Sequence, residues 1–149
     1  MPTTEQPAHV SLRRVYPVSP EKVWRAWTDP QALSQWFGPG AASLTKAEID
    51  LRVGGQYHLA FAGPDGGLNQ LTGVYQEVAP YTRLVFTWAW HSTPERQSRI
   101  SIVLTPVAEG TELSFVHDRF FDEQARINHE RGWALFFSSL DRYFSGGSL

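Results

Sequence analysis

The stretch Asp122–Phe144, DEQARINHERGWALFFSSLDRYF, decides the architecture. His129, Trp133, Phe136, Phe137, Leu140 and Phe144 recur in it at helical spacing, so one long helix carries them on one face. Most of the chain before it alternates with the period of strands. A lone helix can bury so aromatic a stripe only against a sheet, and the sheet has to curl around it. The expected fold class is therefore α+β: a curved antiparallel sheet of about six to seven strands wrapped around the C-terminal helix. Large rings fill a concave sheet imperfectly, which is how small-molecule cavities arise.

Working back from the helix, Leu113, Phe115 and His117 form the last strand, after a turn at Ala108-Glu109-Gly110. Ile100, Ile102 and Leu104 mark the strand before it, and Leu84, Phe86, Trp88 and Trp90 the one before that. Leu71, Gly73 and Tyr75 lie on a strand paired with Tyr57, Leu59 and Phe61 through a hairpin at Pro64-Asp65-Gly66-Gly67. Ala47–Leu51 is a short strand, and Arg52-Val53-Gly54-Gly55 a turn whose glycines allow positive φ. A first strand around Val10 and Leu12 ends at Pro17. Two short helices follow it. Ser19-Pro20-Glu21 supplies an N-cap, a first-turn proline and an acid, and Asp29-Pro30 repeats the signal for a helix reaching Trp36, stopped by Gly38-Pro39-Gly40. No repeat or linker interrupts residues 1–149, which are expected to form one domain with residues 1–9 as a flexible N-terminus.

Composition narrows the function. Thirteen basic residues face fifteen acidic ones without a basic stripe, so nucleic acid is not an expected partner. The absence of cysteine excludes disulfides, thiolate metal sites and cysteine catalysis. Residues 1–9 lack the apolar core of a signal peptide, and the run Trp133–Phe137 is far shorter than the roughly 20 residues of a membrane span. A cytoplasmic protein with no membrane span is expected.

Several short motifs, in order, carry a family resemblance: Pro20-Glu21-Lys22-Val23-Trp24, Thr28-Asp29-Pro30, Trp36-Phe37-Gly38-Pro39, and Asp50-Leu51-Arg52-Val53-Gly54-Gly55. Gly73-Val74-Tyr75, Pro80 ahead of Leu84-Val85-Phe86-Thr87-Trp88, Gly110-Thr111-Glu112-Leu113 and Gly132-Trp133 complete the series. Spread over residues 10 to 145, they resemble the START-like superfamily, whose helix-grip fold wraps a curved sheet around a C-terminal helix. Within it the chain is similar to the C-terminal domain of the activator of the Hsp90 ATPase. That resemblance implies a small hydrophobic ligand held between sheet and helix. A second implication is an Hsp90-type co-chaperone or stress-response interaction module, although in eukaryotic activators another domain carries much of the chaperone contact and no counterpart is read here. A third is a polyketide cyclase- or hydrolase-like enzyme.

The strand registers place Tyr57, Leu59, Phe61, Tyr75, Phe86, Trp88, Ile102, Leu104, Leu113, Phe115 and His117 on the inward face, opposite His129, Trp133, Phe137 and Leu140. These are the candidate pocket lining, the alternative being an ordinary packed core. A cavity is favoured by the single Met available to plug gaps. Gly132 points the same way, because glycine inside a helix costs about 1 kcal/mol relative to alanine and there either leaves space or allows close backbone approach. Trp36 and Phe37 are candidate entrance residues, the alternative being a loop folded onto the helix stripe, and Trp90 and His91 with the polar loop Ser92–Gln97 are a further candidate part of the rim. His117 is either a hydrogen-bonded core histidine or a ligand contact, and His129 lies within reach of pairing with it. No third residue is spaced to complete a metal site with them, so neither metal nor cofactor is expected. No nucleophile elbow or paired-carboxylate signature occurs, and no catalytic residue is assigned; His117 with a tyrosine is the only acid–base pairing the enzyme alternative offers. The edges of a long antiparallel sheet leave room for a homodimer.

Overall fold

A computed structural model describes residues 9–37, 44–62 and 67–146. Among these residues, seven strands form one antiparallel sheet: β1 (His9–Tyr16), β2 (Leu44–Ile49), β3 (Gln56–Ala62), β4 (Leu68–Ala79), β5 (Arg83–Trp90), β6 (Ser98–Val107) and β7 (Gly110–Asp118). Their spatial order is β1-β7-β6-β5-β4-β3-β2, with β1 and β2 at the edges. Helices α1 (Pro20–Thr28) and α2 (Pro30–Leu33) carry the chain between those edges, α1 touching β6 and β7 and α2 touching β2. Helix α3 (Glu123–Gly146) closes the order. Register shifts between Leu44 and Lys46 and between Tyr75 and Glu77 are bulges that bend their strands and help the sheet curl.

The helix starts follow the sequence signals. Ser19 Oγ accepts from the Lys22 amide at 3.3 Å and Asp29 Oδ1 from the Gln31 amide at 3.2 Å, each just ahead of a proline at the first position. Asp122 Oδ1 caps α3 through the Ala125 amide at 2.9 Å. Helix α2 is shorter than its sequence suggests, ending at Leu33 and not Trp36. Instead the Trp36 indole turns inward and donates to the Ala26 carbonyl at 2.8 Å, satisfying one of the orphan acceptors at the end of α1. Strand β2 also starts three residues ahead of the expected Ala47. The glycine stop after Phe37 and most of the hairpin turn after Ala62 lie outside the described residues.

Helix α3 lies in the concave face with Trp133, Phe136, Phe137, Leu140 and Phe144 buried, the stripe its spacing predicts. Trp27 of α1 is the hub of the interior. Its ring centroid lies 4.7 Å from that of Trp36, 5.9 Å from Phe115, 6.1 Å from Trp133 and 6.0 Å from Phe137. At the far end Asp141 ties α3 to β1, accepting from Tyr16 Oη at 2.7 Å and Arg14 Nε at 3.2 Å. Gly73 in β4 has no room for a side chain: a Cβ would strike the Thr87 carbonyl and stand 2.6 Å from Tyr57 Oη, which itself donates to that carbonyl at 2.6 Å. Gly73→Ala is expected to cost about 2 kcal/mol through overpacking, read as a lowered denaturant midpoint. An unchanged midpoint would show that the Thr87 carbonyl and the Tyr57 ring both give way freely.

Candidate functional site: an aromatic cavity beside the N-terminal half of the long helix

The cavity encloses about 500 Å³ between the ends of β3, β4, β5 and β6 and the first half of α3. Phe61, Trp88, Trp90, Trp133 and Phe136 supply its aromatic walls. Gly132 supplies its space: nothing lies within 4 Å of the position its Cβ would take. Phe120, Phe121 and Leu135 add apolar surface, the last two about 60% exposed. Polar groups are few and come from different elements: Asn69 on β4, Thr93 and Arg96 in the β5–β6 loop, Ser98 on β6, Asp122 ahead of α3, and Gln124, Asn128 and His129 on α3. An apolar interior of this volume with a few scattered polar groups matches the usual small-molecule site.

Five of the sequence candidates meet here: Phe61, Trp88, Trp90, His129 and Trp133. The others are placed elsewhere. Tyr57, Leu59, Tyr75 and Phe86 border a separate void of about 20 Å³ beneath α1 and α2, closed by Trp27, Leu33 and Phe37 and able to hold no more than a single water. Ile102, Leu113, Phe115 and Phe137 are packed core with no cavity surface. Trp36 and Phe37 are not an entrance. Both are buried, Phe37 with its ring 5.5 Å from Phe61 and 4.8 Å from Phe136, so it walls the cavity off from the helical bracket. Arg96, Phe121, Asn128 and Leu135 had no sequence signal beyond membership of a loop or of the outer helix face, whereas the unfilled helix glycine, Gly132, was legible.

His117 is fully buried behind Trp133 and does not line the cavity. Its hydrogen bonds define its tautomer. An indole N–H can only donate, so Nδ1 accepts from Trp133 Nε1 at 3.0 Å and Nε2 carries the proton toward Ser98 Oγ at 2.6 Å. Ser98 Oγ passes the chain to the Trp88 carbonyl at 3.2 Å. His129 has the opposite tautomer: Nδ1–H donates to the Ala125 carbonyl at 2.7 Å, and Nε2 accepts from Trp90 Nε1 at 2.8 Å. The two rings are 5.0 Å apart but bond to different partners. His117 is bonded to Ser98 and Trp133 and to no tyrosine among the described residues, and Tyr57 donates to the Thr87 carbonyl. Among the described residues no cluster of three or more His, Asp or Glu side chains is arranged to hold a metal ion, and no helix is long and apolar enough to cross a membrane.

Burial, reinforced by the neighbouring His129, pushes His117 down to about 2, and burial lowers His129 despite its bond to the Ala125 carbonyl. His117 is thus neutral when folded at pH values where the unfolded chain protonates it, and the shift of His129 has the same sign. The unfolded state then binds more protons, so stability is complete above about pH 6.5 and falls as pH drops toward the folded value. At about pH 5 His117 alone should cost about 2 kcal/mol relative to pH 7, measured by denaturant unfolding, and His117→Gln should flatten that slope. A slope unchanged in the variant would remove His117 as its source.

A curled antiparallel sheet gripping a long C-terminal helix, with a cavity left between them, defines the helix-grip, START-like class of domain. The family described as Activator of Hsp90 ATPase homolog 1-like protein matches residues 17–145, and the chain belongs to that family. Among solved structures it is similar to protein CV1439 from Chromobacterium violaceum, at 30% identity with a TM-score of 0.81, covering 93% of this chain and 98% of that one. It is similar also to the AHSA1 protein of Silicibacter pomeroyi, at 25% identity with a TM-score of 0.78, covering 90% and 95% of the two chains. CalU16 from Micromonospora echinospora is 26% identical with a TM-score of 0.71, covering 92% of this chain and 76% of its own. No curated protein matches the sequence.

Proposed function

We propose that this protein binds a small, mainly apolar molecule in the cavity between β5 and the N-terminal half of α3. The observation that carries the proposal is the cavity of about 500 Å³, walled by Phe61, Trp88, Trp90, Trp133 and Phe136 and kept open by Gly132. It falls within the usual range for drug-sized ligands, about 300–1,000 Å³. Binding is favoured over turnover because His117 does not line the cavity and the ring nitrogens of His129 are held by Ala125 and Trp90. The neutral dye phenylnaphthylamine is a suitable probe, since Trp88, Trp90 and Trp133 all border the space and can transfer excitation to it. Saturable binding is expected, together with a retained small molecule in native mass spectrometry of freshly purified protein. Absence of both would overturn the proposal.

The family match favours a second reading, contact with an Hsp90-type chaperone. Stimulation of purified Hsp90 ATPase is its test, and neither binding nor stimulation would remove it. A homodimer through the edge strands β1 or β2 is checked by light scattering.

A further inference from the structure

The cavity mouth holds a cation whose ion pair is long and, among the described residues, made only with its chain neighbour. Arg96, in the loop between β5 and β6, lays its guanidinium over the ring of Phe121, in the segment between β7 and α3, with Cζ 3.9 Å from the ring centroid. Both residues line the cavity. The nearest carboxylate to Arg96 is its chain neighbour Glu95, at 3.9 Å from Nε, and its side chain makes no hydrogen bond to any described residue. Arg126 contrasts with it: held by Glu123 at 2.7 Å and Glu130 at 3.1 Å, it does not reach the cavity. Among the described residues the only acidic side chain on the lining, Asp122, is occupied in capping α3.

Stacking of this kind engages the face of the guanidinium and leaves its in-plane N–H donors available. Those donors form a rigid fork matched to a two-oxygen anion. Apart from Asp122, the rest of the lining carries no carboxylate and is mainly apolar.

Building on the binding proposed above, we infer that the ligand is an amphipathic organic acid whose apolar body fills the cavity and whose anionic head is received by Arg96 at the mouth. Phe121 has a part in this as the platform that orients the guanidinium.

Two dyes test the inference. Phenylnaphthylamine and anilinonaphthalene sulfonate share one aromatic body and differ by the sulfonate, which stands in for the anionic head. The readout is the ratio of their affinities. In Arg96→Gln the preference for the sulfonate should fall roughly three- to tenfold, the range of a partly exposed charge-assisted contact, with phenylnaphthylamine affinity within about twofold of the original. Arg96→Lys should recover part of the preference, and about 1 M salt should weaken the sulfonate dye alone. An unchanged ratio, or equal losses for both dyes, would overturn the role of Arg96 and leave the pocket standing. Failure of both dyes to bind the unmodified protein would overturn the pocket itself.

Discussion

Gly132→Phe is expected to abolish phenylnaphthylamine binding while leaving the protein at least as stable as before. The position faces the cavity with open space around its Cβ, so an added ring enters the volume a ligand would use. Affinity should drop on the order of tenfold or more, about 1.4 kcal/mol at the lower end. Stability should move the other way. Gly132 sits inside a 24-residue helix, and Gly132→Ala alone should stabilise it by about 1 kcal/mol, raising Tm by about 2–4 °C. Most substitutions that ruin a site also loosen the fold, so this opposite pairing is diagnostic. Intact binding in Gly132→Phe would mean that the dye sits elsewhere, and a lower Tm in Gly132→Ala would mean that the space is not open.

Trp27→Ala is expected to cost about 3–5 kcal/mol, the largest stability loss of any single truncation considered. Trp27 meets Trp36, Phe115, Trp133 and Phe137, so it joins the helical bracket to the last strand and to the middle of α3. Its removal leaves a hole that several rigid rings would have to move together to fill, and rings relax less readily than Leu or Met. Trp27→Phe should lie between the two. Equilibrium unfolding in denaturant gives the values; a loss below about 1 kcal/mol for Trp27→Ala would show that the interior collapses around the gap.

Gly132 and Trp27 probe the open and the packed side of the same helix stripe. Toward its C-terminal half, from Phe137 onward, the stripe is packed against β7 and β1 and pinned by Asp141. Toward its N-terminal half the same stripe borders open space, because α1 reaches it only through Trp27 at Trp133 and Phe37 seals the boundary. Helical spacing identifies both halves as inward-facing and is silent on which is covered. Strand alternation has the same limit: Phe61 and Leu59 share a face of β3, yet one borders the cavity and the other the small void under the bracket.

Trp36 and Phe37 illustrate a second limit. Beside glycine and proline they resemble gate residues, but an unpaired carbonyl at the end of α1 and the rings of Phe61 and Phe136 draw them inward. A residue's neighbours in sequence do not report the hydrogen-bond acceptor waiting for it in space. Arg96 and Phe121 lie in irregular segments without a period, and their pairing exists only because the β5–β6 loop and the start of α3 meet at one end of the sheet.

The sequence by itself determined the sheet, the gripped helix, the order of elements and the side each strand turns inward, since these follow from periodicity and from local capping and turn chemistry. It also marked Gly132 as a helix position where space is kept. The tertiary structure alone decided where the cavity lies, which aromatic residues wall it, and which partners hold the ring nitrogens of His117 and His129. Those features depend on which distant segments fill the concave face, a matter of volume and long-range contact that a one-dimensional pattern does not encode.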